Sequence, residues 1–276
     1  MNLKSYKAKK RFYNCLKYIF LTLVAFISIF PFFWMIMGAT NTSSDIITGK
    51  LTVGSEFFNN LKVLLETTQI KAAFFNTLKI TVVTTVCSLL ITSMAGYGFS
   101  KFSSKGKDRV YGVLLFSMMI PFAAMMIPLF QLTAKLSLVD NHLAIILPSV
   151  ASVFLIFFFR QNFTSFPTEI IEAARIDGAK EFKIFFHIVM PAMKSTFAAA
   201  AIWSFMSQWN NFLWPLLVLQ SDAQKTLTLV LSSLSSAYFV EYGVLMTAIL
   251  IATTPVIIVF LCMQKHFVAG VVGASK

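Results

Sequence analysis

Tyr18-Ile19-Phe20-Leu21-Thr22-Leu23-Val24-Ala25-Phe26-Ile27-Ser28-Ile29-Phe30-Pro31-Phe32-Phe33-Trp34-Met35-Ile36-Met37 contains no charged side chain. About 20 apolar residues in a helix span about 30 Å of hydrocarbon. The basic stretch before it, Lys4 to Arg11, allows a second reading as a secretory signal. No small-x-small cleavage site closes the run, so it reads as a retained first span. Five more runs follow at about Phe75–Gly98, Val110–Phe130, His142–Phe159, Phe197–Leu219 and Val244–Met263. Each is long enough to cross, the fourth only just. In lipid every backbone N–H and C=O must pair within its own segment, so such runs form helices. A membrane β-barrel would instead show short alternating strands. The fold class is therefore all-α, a polytopic membrane protein with six transmembrane helices.

Composition agrees. Of 276 residues, 57% are hydrophobic and 12% charged, against about 25% charged in a soluble domain. The net charge of +12 has two sources to choose between, nucleic-acid binding and the Lys/Arg excess of cytoplasmic membrane loops. Seventeen of the 23 Lys and Arg lie in four segments: the N-terminal tail, 101–109, 160–194 and the C-terminal tail. Six spans place all four on one side, and the positive-inside rule makes that side the cytoplasm. Both termini are then cytoplasmic, and 40–70, 131–141 and 220–242 face outward. No single basic face or nucleic-acid motif is present.

Several chemistries have no residues to support them. Cys15, Cys87 and Cys262 are far apart, as are His142, His187 and His266, with no metal or disulfide spacing. The six runs carry no mid-span Asp or Glu, which weakens a proton- or ion-coupled mechanism. The phosphate-binding loop GxxxxGK[ST] is missing, and no serine nucleophile elbow appears. The chain reads as a non-enzyme that binds no cofactor or metal itself.

One loop is built for more than connection. Phe166-Pro167-Thr168-Glu169-Ile170-Ile171-Glu172-Ala173-Ala174-Arg175-Ile176-Asp177-Gly178-Ala179 follows the fourth run. Pro167 suits a helix start, Glu169 suits the positive end of the helix dipole, and Gly178 suits a left-handed C-terminal turn. A helix from Thr168 to Asp177 is expected, then a second from Lys180 to Val189 that Pro191 ends. Ala173 and Ala174 form a smooth surface beside the Glu172 carboxylate, with Ile170, Ile171 and Ile176 as apolar anchors. Such a helix either docks in a partner's groove or lies on the bilayer surface.

Glu172-Ala173-Ala174, three residues, Gly178, nine residues, then Ile188-Val189-Met190-Pro191 resembles the EAA loop of ABC importer permeases, with Met190 in place of the family's leucine. Gly96-Tyr97-Gly98-Phe99-Ser100-Lys101-Phe102, the stretch Trp203 to Pro215 and the tail Phe267 to Ala274 resemble carbohydrate permeases of the maltose-transporter type. The resemblance covers nearly the whole chain. It implies an ABC importer type I permease fold in a prokaryotic cytoplasmic membrane. The organisation it implies is 1–71 as tail, first span and extracytoplasmic linker, 72–265 as permease core with the coupling loop 166–191, and 266–276 as a cytoplasmic tail. The partners it implies are a second, non-identical permease, two ATPase subunits that bind ATP and Mg, an extracytoplasmic solute-binding protein and a sugar substrate. Glu172, Ala173, Ala174, Asp177, Gly178, Ile188 and Pro191 would be the ATPase-coupling residues, and the tail would reach the ATPase interface. A secondary transporter, a membrane scaffold or a permease for a non-sugar solute are the competing readings.

The fifth run carries a polar stripe. At 100° per residue Ser204, Ser207, Gln208 and Asn211 fall within about one third of the helix circumference, with Trp203 and Trp214 at its flanks. Such a stripe avoids lipid. It either lines a substrate pathway, where amides and hydroxyls suit a sugar, or joins this span to its neighbours by interhelical hydrogen bonds.

Overall fold

The first apolar run lies inside a single helix, α1 (Leu3–Ala39), that continues unbroken from the basic tail. The computed structural model describes residues 3–102 and 104–273, and side chains over 10–102 and 104–264. Short helices α2 (Ser43–Ile47) and α3 (Phe57–Thr67) lead to the long α4 (Ile70–Lys101). Then come α5 (Lys105–Ser117), α6 (Phe122–Lys135), α7 (Leu143–Ser149), α8 (Val153–Thr164), α9 (Thr168–Ile176) and α10 (Glu181–Ile184). A π-turn over Phe185–Val189 joins α10 to α11 (Met190–Ala192). The chain closes with α12 (Lys194–Trp209), α13 (Leu213–Val218), α14 (Leu227–Ser235) and α15 (Tyr242–Gly273). No strand occurs among the described residues.

Four stretches are long and apolar enough to cross a membrane: 10–39, 70–101, 143–164 and 242–264. Two helix pairs join them if each bent pair is one span: α5 with α6, bent by 104°, and α10–α11 with α12, bent by 84°. Three expectations are corrected here. The run Val110–Phe130 is not one straight helix, because Pro121 sits at the break in an extended conformation, φ −59° and ψ 136°. Proline has no N–H to continue the ladder. The run Phe197–Leu219 also divides. The α12 helix stops at Trp209, Asn210 Nδ2 turns back to the Met206 carbonyl at 2.9 Å, and Pro215 falls in the first turn of the separate α13. Pro191, finally, does not end its helix. Met190 before it is helical, φ −59° and ψ −49°. The π-turn widens the backbone just upstream and relieves the clash of the proline ring with the preceding carbonyls. Residues 274–276 of the C-terminal tail, including Ala274, lie outside the described residues.

The chain groups into two compact units. In one, 1–68 with 234–251, a polar knot forms around Asn41 and Asn60. Asn41 Nδ2 donates to the Met37 and Thr52 carbonyls, both at 2.8 Å, and Asn60 Nδ2 donates to the Ala39 and Asn41 carbonyls, both at 3.1 Å. Gly243 lets α15 approach this knot, since a Cβ there would lie 2.6 Å from the Asn41 carbonyl oxygen.

The other unit, 69–233 with 252–276, is organised on α4, which packs along α8 and α12. Its inner face reads Thr77, Thr81, Thr84, Ser88 and Thr92, all at 2% exposure or less. Small side chains let helix backbones approach closely in lipid, where no hydrophobic force pulls helices together. Gly96 marks the tightest point: a Cβ there would meet Phe159 Cβ at 2.7 Å and the Arg160 backbone nitrogen at 2.9 Å. Below it an aromatic core closes around Tyr97, Phe159, Phe163 and Phe185.

Candidate functional site

Two places in the second unit bring together the residues singled out from the sequence. The first is α9. Its start is held from α4, where Lys101 Nζ donates to the Phe166 carbonyl at 2.6 Å. Its end is a left-handed turn. Gly178 has φ +80°, its N–H donates to the Arg175 carbonyl, and the Ala179 N–H donates to the Ala174 carbonyl, both at 3.0 Å. This pair of bonds is the Schellman pattern, which favours glycine at the left-handed position. Ile171 and Ala174 face inward and join the aromatic core. Burying an isoleucine contributes about 1.5–3 kcal/mol, so α9 is anchored to its own chain through that face.

Glu172, Ala173 and Asp177 lie on the exposed side, with Ile170 and Ile176. The sequence reading put Ala174 and Ile171 on the outer surface too, and the structure corrects this. Each stands 100° around the helix from the residue before it, Ile170 or Ala173, which is enough to turn it inward. Ile188 is half-buried in the π-turn and Pro191 is exposed.

A latch ties α9 to the next helix. Arg175 Nε donates to Glu181 Oε1 at 2.6 Å, and Tyr97 OH reaches Glu181 Oε2 at 3.4 Å. The Arg175 guanidinium also stands 5.6 Å from the centroid of the Phe102 ring. The hydrogen bond to Glu181 raises the Arg175 pKa above its ordinary value. Tyr97, Lys101, Phe102 and Glu181 were not named as site residues from sequence. For Tyr97, Lys101 and Phe102 the available signal was the Gly96–Phe102 stretch, which carried a resemblance but no assigned role, and Glu181 lay only in the expected second loop helix.

The second place is a cavity of about 350 Å³ among α4, α6, α7, α8 and α12. Trp203, Ser204, Ser207 and Gln208 line it together, as helical spacing predicts, and Ser88 of α4 faces them across it. Among the described residues that line it none is an acid, a base or a histidine. Trp203 leans on Phe154, ring centroids 4.5 Å apart. Two members of the expected stripe fall elsewhere. Asn211 lies beyond the end of α12, where its carbonyl accepts from Thr228 Oγ1 at 2.8 Å. Trp214 is buried on α13, and its Nε1 donates to the Ala144 carbonyl at 2.8 Å. The break after Trp209 ends the helical register that placed them on the stripe.

Comparison with known proteins agrees with this architecture. Residues 88–273 match the family of binding-protein-dependent transport system inner membrane components. The chain is 50% identical over 268 residues to the lactose transport system permease protein LacG of Rhizobium radiobacter, covering 97% of this chain and 98% of that protein. It is 38% identical over 264 residues to the arabinooligosaccharides transport system permease protein AraQ of Bacillus subtilis (strain 168), covering 94% of each. Its fold matches a chain in the crystal structure of a bacterial ABC transporter involved in the import of the acidic polysaccharide alginate. That match has a TM-score of 0.83 at 24% identity, over 94% of this chain and 98% of that one. With a family match over two thirds of its length and full-length relatives, the chain belongs to the inner membrane components of binding-protein-dependent ABC transport systems.

Proposed function

We propose that this chain is one permease subunit of an ABC importer for a sugar or oligosaccharide. The observation that carries this reading is the 50% identity to a lactose permease over 97% of the chain. A second permease, two ATPase subunits holding ATP and Mg, and an extracytoplasmic solute-binding protein complete the machine. Both termini are cytoplasmic, as the Lys/Arg distribution argues. The exposed face of α9, with Glu172, Ala173, Asp177, Ile170 and Ile176, seats in a cleft of one ATPase subunit. Ile171 and Ala174 carry its movement into the aromatic core. Gly178, Ile188 and Pro191 shape the turn and the π-helical return. ATP-driven closure of the ATPase pair shifts the coupling helices, and the spans rock between inward- and outward-facing states.

A non-sugar solute is the second reading, because a relative from Pectobacterium atrosepticum at 28% identity is named an sn-glycerol-3-phosphate permease. The test is ATP hydrolysis by the reconstituted complex with its binding protein, over a panel of lactose, arabino-oligosaccharides and sn-glycerol 3-phosphate. Stimulation by a sugar supports the proposal. Stimulation by glycerol phosphate alone overturns it.

A further inference from the structure

Arg160 lies inside the membrane-spanning stretch 143–164, one turn before α8 ends at Thr164. A charge inside a span needs a partner or a route to water. Other cations at this end of the bundle have partners. Lys101 and Lys107 donate to the Phe166 and Phe102 carbonyls at 2.6 and 3.0 Å, and Arg175 is paired with Glu181. Among the described residues Arg160 pairs with no acid. Packing holds it instead. Its Cζ stands 4.2 Å from the centroid of the Tyr111 ring on α5, and Gly96 brings α4 against its backbone. Nε is buried without a partner, while the residue as a whole is only half-buried. The part left open is the end of the guanidinium fork, its two terminal nitrogens.

We infer that the Arg160 fork, backed by Tyr111, is a binding site for the phosphate of an anionic phospholipid in the cytoplasmic leaflet. Guanidinium and phosphate match in shape and charge, two N–H groups to two oxygens. A ring behind the guanidinium fixes its plane and attracts its charge without using the fork. Depth selects the ligand. Arg160 is about 6 Å along α8 from Thr164, and Gly96 beside it is about 8 Å along α4 from Lys101. A long side chain reaches the headgroup level from there, and a phospholipid carries its phosphate at that level. The leaflet follows from the Lys/Arg orientation. The helix that supplies the ring leaves Val110, Val113 and Phe116 exposed, apolar surface of the kind acyl chains cover. Basic pockets between spans on the cytoplasmic side suit anionic headgroups. With no acid paired to Arg160 to receive a choline or ethanolamine cation, a headgroup of net negative charge is favoured. A phosphate held there fixes the end of α8, which leads into α9.

The test titrates short-chain phosphatidylglycerol into the complex purified from its native membrane in detergent. The rise in melting temperature gives an apparent Kd. Phosphatidylcholine of the same chain length and inorganic phosphate are the comparison ligands. Phosphatidylglycerol should stabilise the wild-type complex most. Arg160→Met keeps an unbranched apolar side chain and should weaken that binding about 10- to 100-fold, the loss of a charge-assisted pair. Arg160→Lys keeps the charge without the fork and should lose less. An equal Kd for phosphatidylglycerol in wild type and Arg160→Met overturns the site, and so does equal stabilisation of the wild type by phosphatidylcholine. Stabilisation by inorganic phosphate but not by phosphatidylglycerol overturns the lipid as ligand. Loss of a second permease from purified Arg160→Met would place the guanidinium at a subunit interface and overturn the proposal. Should Arg160→Met not be recovered, Arg160→Lys and Tyr111→Leu carry the test, and a wild-type Kd in both overturns the site. The measurement needs no transported solute, so the import reading stands or falls separately.

Discussion

Arg175 donates from Nε to Oε1 of Glu181 at 2.6 Å, across the left-handed turn at Gly178. The two side chains, 37% and 40% exposed, bridge the end of α9 and the start of α10. An exposed pair of this kind contributes only about 0–1 kcal/mol to stability. Its weight is geometric, because it links the end of α9 to the start of α10.

Arg175→Gln and Glu181→Gln should therefore leave thermal stability of the purified complex within about 1 kcal/mol of wild type, while lowering sugar moved per ATP. The exchanged pair, Arg175→Glu with Glu181→Arg, should recover part of that loss. A double-mutant cycle on the transport ratio measures the coupling, and purely additive losses would remove the latch from the mechanism.

Gly178 stands in open space, and a Cβ added there would meet nothing within 4 Å. Only its φ of +80° resists substitution. Gly178→Ala should cost about 1–2 kcal/mol, and Gly178→Val more, since branching at Cβ adds crowding. Membrane insertion should persist in both while transport fails in the second. Melting curves with an uptake assay check this.

Gly96 and Gly98 form a matched pair of probes on α4. Gly96→Ala drives a methyl against the Arg160 backbone nitrogen, 2.9 Å away, and overpacking of that sort costs about 1–3 kcal/mol. Gly98→Ala meets nothing within 4 Å and should be neutral or slightly stabilising, as alanine is the better helix former. Equal melting temperatures for the two variants would contradict the close α4–α8 contact.

Orientation is open to a direct chemical test. With Cys15, Cys87 and Cys262 replaced, Ser104→Cys and Ser195→Cys should resist an impermeant thiol reagent applied outside the cell. Ser55→Cys and Ser221→Cys should react. The opposite pattern would invert the topology drawn from the Lys and Arg distribution.

The helical class and the bounds of α9 were legible because they rest on local properties. Apolar length makes a span, and the Pro167, Glu169 and Gly178 chemistry delimits α9 to within a residue. The break at Pro121 was not legible, since it lies inside an uninterrupted apolar run; the break after Trp209 carried a signal in Gln208, Asn210 and Asn211, of which Gln208 and Asn211 read instead as a stripe on one continuous helix. The π-turn at Phe185–Val189 was hidden for a related reason: it accommodates Pro191, which from sequence alone reads as a stop. The cavity was half visible. Ser204, Ser207 and Gln208 share a face of one helix, but Ser88 joins them only through the packing of α4 on α12.

The central claim is that α9 couples this chain to an ATPase. Its most direct measurement is purification of the chain from its native membrane, as wild type and as Glu172→Lys, followed by reconstitution with the binding protein. The account predicts that an ATPase copurifies with the wild-type chain, that sugar uptake requires ATP hydrolysis, and that Glu172→Lys loses uptake while remaining inserted. Uptake by the chain without an ATPase, driven by a proton or sodium gradient, or normal uptake by Glu172→Lys, would contradict it.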